Sequence, residues 1–175
     1  MELTKEIILK IVPTANKELV SHLVPHFNTY FPQYDINTVN RISFFIGQCA
    51  EESASFRTLT EYASGAEYEG RKDLGNTHEG DGKRYKGRGI IQITGRFNYR
   101  KYGQILGLDL ENNPELAKDP EVCVRVACEY WKSHSINKNA DANDIVGATK
   151  KINGGTNGLS QRTAYIKKAQ KIIKV

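Results

Sequence analysis

The sequence predicts a mainly α-helical domain with a small β region, an α+β fold in which helix dominates. Apolar residues recur every three or four positions in several segments, as one face of an amphipathic helix requires. Cap residues open several of these segments, and proline or glycine closes them. Little of the chain has the strict alternation typical of half-buried strands, so little sheet is expected.

Three early segments have helical periodicity: residues 4–12, 16–31 and 38–56. Thr4 and Thr38 are the expected caps of the first and third helices. Pro13 should stop the first helix, and Pro25 should kink or divide the second.

Four later segments also predict helices: residues 97–106, a helix opening at Asp119-Pro120, residues 141–152, and a last helix from Ser160. Asp119 is the expected cap, and Pro120 occupies the first helical position, where proline is common. Asn153-Gly154-Gly155 should end the helix over 141–152. Ser160 is the expected cap of the last helix, whose lysines suit the negative end of a helix dipole.

The segment between the early and the late helices is different. Residues 57–84 are glycine-rich and polar, which predicts a long loop of the kind that is usually functional or disordered. Residues 85–94, YKGRGIIQIT, predict a short strand or extended turn, which is the small β region. No repeat or low-complexity linker interrupts residues 1–175, so we expect one domain.

Composition narrows the classes of function only a little. The net charge of +5 favours an anionic partner, and nucleic acid, an anionic surface or an acidic wall polymer would all fit. No nucleic-acid-binding motif is recognisable, so nucleic acid is not expected as a partner. The GRG at 87–89 lacks the spacing of a phosphate loop, and no metal-ligand set has a recognisable spacing. We therefore expect neither a cofactor nor a metal.

One carboxylate lies where an apolar residue is expected. The helix over 38–56 carries an apolar stripe, formed by Ile42, Phe45, Cys49 and Phe56. Glu52 falls on this stripe, whereas its neighbour Glu51 falls on another face. Burial would raise the pKa of Glu52 and keep it protonated, as a general acid must be. Spacing alone favours the alternative that Glu52 reaches water or pairs with an arginine such as Arg57 or Arg88.

An acid of this kind could serve glycoside hydrolysis, which needs a second carboxylate across the bond. The loop offers several candidates, and spacing cannot select one: Glu61, Glu67, Glu69, Asp73, Glu79 and Asp81. The helix must end between Glu52 and Glu61 if these two are to share a cleft.

Four ordered segments resemble motifs of one family. Residues 50–56 (AEESASF) are similar to an AHESGGF-like segment, and residues 85–99 to a YxGRGxxQxT/S…NY signature. Residues 106–120 resemble a G-DL-NNPEL---DP stretch, and Ile152–Gly155 with Arg162 resembles an INGG…R ending. The family is glycoside hydrolase family 19, which includes plant chitinases and many bacteriophage endolysins. The resemblance covers residues 40–170.

The resemblance implies a lysozyme-like helical domain with a small strand or hairpin region beside a cleft. It implies that Glu52 is the general acid, that Glu61 is the second carboxylate, and that Thr94 positions the attacking water. It also implies a set of binding and supporting residues: Gln92, Asn98 and Asn153 for substrate, and Arg162 for the carboxylate network. Glu51 replaces the family's usual histidine, and this second negative charge could raise the pKa of Glu52 further.

Further contacts to substrate are expected around the same segment. Tyr85 and Arg88 are expected to bind substrate, with the GRG turn bringing backbone close to a sugar. Other tyrosines cluster nearby, and some will belong to the core: Tyr62, Tyr68, Tyr99 and Tyr102.

The function expected from this resemblance is metal-free hydrolysis of β-1,4 bonds with inversion, in the peptidoglycan of bacterial cell walls. Chitin is the alternative substrate, and a glycan-binding protein without turnover is the alternative class. The N-terminal sequence lacks the pattern of a signal peptide, and the odd number of cysteines favours reduced thiols. We therefore expect an endolysin-like monomer without stable membrane insertion, made in the bacterial cytoplasm, which reaches the wall after a separate protein breaches the membrane.

Overall fold

The computed structural model describes residues 2–174, which form nine α-helices. In chain order these are α1 (Lys5–Ile11), α2 (Lys17–Tyr30), α3 (Val39–Glu52), α4 (Asp81–Arg84), α5 (Arg96–Leu106), α6 (Pro120–Ser133), α7 (Ile136–Asp141), α8 (Ile145–Asn153) and α9 (Leu159–Ile172). Short 3-10 turns connect some of them: Phe31–Tyr34, Ala66–Tyr68, Lys72–Leu74 and Pro114–Lys118. The predicted dominance of helix is confirmed.

Local capping explains where several helices begin. The side chains of Thr4, Thr38 and Asp119 each accept hydrogen bonds from backbone N–H groups in the first turn, as predicted. Asn16 caps α2 in the same way. Pro25 lies inside α2 without dividing it, so of the two predicted effects, a kink or a division, the division is wrong.

Three predicted helix boundaries need correction. Helix α3 ends at Glu52 and not at residue 56, because residues 54–56 adopt left-handed φ angles of 50°, 64° and 52°. The segment 141–152 contains the end of α7 and most of α8, and Asp144 caps α8 at the nitrogen of Gly147. Helix α9 begins after Gly158 and not at a Ser160 cap, since Gly158 takes the left-handed φ of 71° that glycine tolerates best.

Helix α3 is the central element of the core. It packs most extensively against α9, while α2 packs against α6. A Cβ atom on Gly47 would lie only 2.5 Å from Cγ1 of Ile166, so the glycine permits the close approach of α3 and α9. All three cysteines are free and buried, as the sequence predicted.

The predicted β region is reduced to isolated antiparallel bridges. Arg88 pairs with Thr60 on one side and with Ile93 on the other. The Gly89 N–H donates to the carbonyl of Leu59 at 2.8 Å, which adds a further backbone link between the two segments. The long loop and the YKGRG segment are thereby held side by side.

Buried polar groups order the long loop. The Asp81 carboxylate is 2% exposed, and its Oδ1 lies 2.6 Å from Nη2 of Arg96. Its other oxygen accepts the N–H groups of Thr77 and His78, both at 3.1 Å. The loop is therefore tied to the start of α5.

None of the helices described in residues 2–174 is both long and apolar enough to cross a bilayer.

Candidate active site

Glu52 lies in the last turn of α3, at the edge of the core. Its side chain is 17% exposed, and its Oε1 accepts a hydrogen bond from Nη2 of Arg162 at 2.5 Å. Burial raises the pKa of Glu52 above its ordinary value, Arg162 opposes this effect, and the charge of Glu51 adds to it. The carboxylate is therefore both mostly buried and paired with an arginine, which combines features of the two alternatives that the sequence left open.

The partner of Glu52 is Arg162 on α9. Neither arginine that we considered from spacing is the partner, because Arg57 donates to the carbonyl of Ala54 and Arg88 pairs elsewhere. The Arg162 side chain is 3% exposed, so its guanidinium is held inside the protein.

Hydrogen bonds fix the orientation of Arg162. Its Nη1 donates to Oε1 of Gln48 at 2.7 Å, and its Nε donates to the carbonyl of Asn157 at 3.0 Å. Gln48 in turn donates to Oγ1 of Thr149 on α8 at 3.0 Å. Three helices therefore determine where the guanidinium meets the Glu52 carboxylate.

Glu61 lies on the long loop, and both of its carboxylate oxygens are engaged. The Gly87 N–H donates to Oε1 and the Tyr68 hydroxyl donates to Oε2, each at 2.9 Å. The backbone N–H of Glu61 donates to the Gly87 carbonyl at 3.0 Å. Burial and this contact with Glu61 raise the pKa of Tyr68 to about 12, so the phenol stays protonated as a donor. Each carboxylate oxygen retains a lone pair that could accept a proton.

Gln92 approaches the same carboxylate through Gly87. A Cβ atom on Gly87 would lie 2.6 Å from Oε1 of Gln92 and 3.2 Å from Oε2 of Glu61, so both side chains converge on a space that only glycine leaves open. Gln92 has a left-handed φ of 59°, a strained conformation that is often found at functional sites.

Thr94 and Asn98 lie at the junction between this segment and α5. The Nδ2 of Asn98 donates to the Thr94 carbonyl at 2.9 Å, and both residues are partly exposed. The structure thus brings Glu61 and Gln92 together at Gly87, with Thr94 two residues beyond Gln92. Asn153 lies apart from them in sequence, at the last position of α8, and is also partly exposed.

Tyr85 and Arg88 are placed differently from our expectation of direct contact with substrate. Both are buried, with relative exposures of 1% and 5%. The Tyr85 hydroxyl donates to the Glu111 carbonyl at 2.8 Å, and Arg88 donates to the Tyr99 hydroxyl at 2.9 Å and to Glu115 at 2.7 Å. Their side chains support the YKGRG segment from inside and present no free face to a glycan.

The other tyrosines around the site differ in how far their side chains are exposed. Tyr99 and Tyr102 belong to the core. Tyr68 is partly buried and bonded to Glu61, whereas Tyr62 is 78% exposed directly after Glu61. Tyr62 is therefore the member of this group whose ring is open to a ligand.

Sequence reasoning missed Gln48, which orients Arg162, and did not assign Tyr68, one of the clustered tyrosines, to Glu61. Gln48 lies four residues before Glu52, so helical spacing could have placed this polar side chain beside the acid. Nothing local in the sequence singles out Tyr68 as the donor to Glu61.

Within residues 2–174, no three side chains of the types histidine, cysteine, aspartate or glutamate come together as a possible metal site.

Two carboxylates in contrasting environments on a helical domain define a candidate glycosidase. The profile of glycoside hydrolase family 19, described as chitinase class I, matches residues 24–158. This match covers most of the sequence, and the chain belongs to glycoside hydrolase family 19.

Curated relatives match parts of the chain. A glycosyl hydrolase family 19 domain-containing protein of Haemophilus influenzae is 39% identical over 95 residues, which are 54% of this chain and 46% of the relative. An endochitinase of Arabidopsis thaliana is 36% identical over 116 residues, covering 65% of this chain and 39% of the relative. The matches thus span less than half the length of each relative.

Solved structures of chitinases share the fold. Chitinase C from Streptomyces griseus aligns with a TM-score of 0.75 at 20% identity, covering 97% of this chain and 91% of that one. A class IV chitinase from Zea mays aligns with a TM-score of 0.71 at 18% identity, covering 97% and 90%. The expected lysozyme-like helical fold of the family is therefore confirmed.

Proposed function

We propose that this protein is a glycosidase that hydrolyses β-1,4 bonds between the amino sugars of bacterial peptidoglycan, with inversion at the anomeric carbon. The observation that carries the proposal is the pair of differently held carboxylates. Glu52 is mostly buried beside a cation, whereas Glu61 is fixed by neutral donors on a surface loop. Two carboxylates in unequal environments are what separate acid and base roles require.

Glu52 is the proposed general acid. Burial raises its pKa and so favours the protonated carboxyl, which can donate a proton to the leaving glycosidic oxygen. After this transfer the carboxylate is negative, and the adjacent Arg162 guanidinium stabilises it. Burial favours the protonated carboxyl, which is needed before the transfer. Arg162 favours the carboxylate, which is left after the transfer.

Glu61 is the proposed general base. It accepts a proton from a water molecule that the Thr94 hydroxyl helps to hold, and the water attacks the face of the sugar opposite the leaving group. Inverting enzymes hold the two carboxyl groups roughly 6.5–9.5 Å apart to leave room for this water. The end of α3 at Glu52 meets the requirement that the helix stop before Glu61.

The charge of the protein supports peptidoglycan as the substrate. The net charge is +5, and a basic protein is steered towards a polymer with acidic peptide arms, whereas neutral chitin gains nothing from it. Exposed Lys150 and Lys151 lie three and two residues before Asn153 in the last turn of α8. The exposed ring of Tyr62 offers an apolar face beside Glu61 on which a sugar could stack.

Chitin is the second candidate substrate. The names of several relatives favour it, because those proteins are described as endochitinases or chitinases. The two polymers share the β-1,4 backbone and the amino-sugar groups, so the same two carboxylates would serve either reaction.

The deciding experiment compares purified peptidoglycan with soluble chitin oligomers at low and moderate salt. We expect muropeptides with new reducing ends from peptidoglycan by mass spectrometry, a faster reaction at low salt, and the inverted anomer in early NMR spectra. Glu52→Gln is the control for turnover. Faster cleavage of chitin oligomers, without release of muropeptides, would reassign the substrate, and binding without products from either polymer would make the protein a glycan-binding module.

A further inference from the structure

Tyr68 contacts the proposed base from a separate turn of the long loop. It ends the 3-10 turn Ala66–Tyr68, and its hydroxyl donates to Oε2 of Glu61 at 2.9 Å. The Gly87 N–H holds the other oxygen at the same distance. With one donor on each oxygen, rotation of the carboxylate would break at least one hydrogen bond.

Asn76 connects this turn to α5. Its side chain is fully buried; Nδ2 donates to the Tyr68 carbonyl at 2.8 Å, and Oδ1 accepts the Arg96 N–H at 2.9 Å. A buried amide that is bonded at both ends resists displacement, since moving either partner leaves a polar group unsatisfied. Asn76 therefore joins the turn that carries Tyr68 to the first residue of α5.

The other end of this connection lies beside the residue expected to hold the water. Thr94 is two residues before Arg96, and the Asn98 side chain bonds the Thr94 carbonyl from the first turn of α5. The contacts thus run from Glu61 through Tyr68 and Asn76 to the segment that bears Thr94.

We propose that Tyr68 is a positioning residue for Glu61, and that Asn76 sets the position of Tyr68 relative to Thr94. This inference rests on the proposed function, in which Glu61 is the base and Thr94 holds the water. Tyr68 touches no reacting atom in this scheme. It acts by keeping one carboxylate orientation, so that the remaining lone pairs of Glu61 face the water.

The first test is Tyr68→Phe, which removes the hydroxyl and keeps the ring. We expect kcat to fall roughly 10- to 100-fold, because small misplacements of a catalytic group have effects of this size, while KM changes little. Tyr30→Phe is the matched control. It removes a comparable tyrosine–carboxylate bond, from Tyr30 to Glu121 at 2.5 Å, between α2 and α6. We expect this control to leave kcat unchanged.

Asn76→Asp is the second variant. It keeps an acceptor for the Arg96 N–H and loses the donor to the Tyr68 carbonyl. We expect kcat to fall, as for Tyr68→Phe. A circular dichroism spectrum like that of the wild type would show that the fold is retained. If kcat is retained in Tyr68→Phe, or if Tyr30→Phe lowers it equally, the inference is wrong.

An NMR measurement tests the contact without any substrate. In protein with ¹³C-labelled tyrosine, Tyr68→Phe identifies the Cζ resonance of Tyr68, and we expect Glu61→Gln to shift that resonance while leaving that of Tyr30 in place. An unmoved Tyr68 resonance would overturn the inference even in an active enzyme. A shifted resonance in a protein that cleaves neither polymer would instead refute the proposed function and leave the contact established.

Discussion

The two carboxylates of the site are held by two different kinds of structure. Glu52 ends a helix of the core, and its partner Arg162 comes from another helix packed against it. Glu61 lies in an irregular stretch of the long loop, and its partners are a backbone N–H and the Tyr68 hydroxyl. One position is set by helix packing and charge, the other by hydrogen bonds within a surface loop.

This difference suits the two proposed roles. A general acid needs a raised pKa, and burial among packed helices supplies it. A general base needs a carboxylate with a lone pair directed at water, and the two donors on Glu61 leave a lone pair free on each oxygen. We therefore expect changes near Glu52 to alter the pH dependence, and changes near Glu61 to alter kcat through the geometry of the loop.

The largest expected effect comes from Glu52→Gln. The amide cannot donate the proton that the leaving oxygen needs, so kcat should fall by ~10²–10⁴. The native fold should remain, because glutamine has a similar shape and can still accept from Arg162. Initial rates of muropeptide release and a thermal melt check both expectations. A rate near that of the wild type would remove Glu52 from the acid role.

Arg162→Gln should have the next largest effect and should change the pH profile. Arg162 lowers the pKa of Glu52, so its loss should raise that pKa further. Since the acid must be protonated, the basic limb of kcat/KM should move to higher pH, while kcat falls because the carboxylate loses its anchor. Arg57→Gln is the control, since Arg57 is an exposed arginine near the same helix end. A basic limb that moves to lower pH would contradict this account of the electrostatics.

Asp81→Asn tests the loop that carries Glu61. It weakens the ion pair with Arg96, and losing one partner of a buried pair should lower the free energy of unfolding by up to roughly 3 kcal/mol. Activity should fall with the basic limb of the pH profile unchanged, because α3 is not affected. Asp73→Asn is the control in the same loop, since Asp73 is 63% exposed in its pair with Arg71. Equal destabilisation by both variants would show that the buried pair is not what orders the loop.

The smallest expected effect is that of Glu51→Gln. The negative charge of Glu51 adds to the raised pKa of Glu52, so removing it should lower that pKa and move the basic limb of kcat/KM to lower pH. The rate on the acidic side of the profile should change little. A loss as large as that of Glu52→Gln would contradict the assignment of Glu52 as the acid.

Local signals made the helix starts predictable from the sequence. A cap bonds to backbone two or three residues away, so Thr38 or Asp119 carries its own evidence. The end of α3 had no such signal, because the left-handed turn at residues 54–56 contains no glycine. The start of α9 was also mispredicted, because serine is a more typical cap residue than glycine and Ser160 was chosen over Gly158.

The site was less predictable, because its contacts join distant parts of the chain. The apolar stripe on α3 identified Glu52, yet spacing favoured the wrong arginines, and only the family resemblance pointed to Arg162. Tyr68 could not be selected, since its contact with Glu61 depends on how an irregular loop folds back. Tyr85 and Arg88 belong to a recognisable motif, but a motif does not reveal which of its side chains face inward.

The pairing of Glu52 with Arg162 has a consequence for the order in which the protein matures. The two residues are 110 positions apart, and α9 is the last helix of the described chain. During synthesis, Glu52 emerges from the ribosome long before its partner. Until α9 docks on α3, this carboxylate lacks the Arg162 guanidinium, and Gly47 lacks its contact with Ile166. Catalytic competence should therefore appear only after α9 has been synthesised and has docked, as expected when a site depends on contacts of high sequence separation.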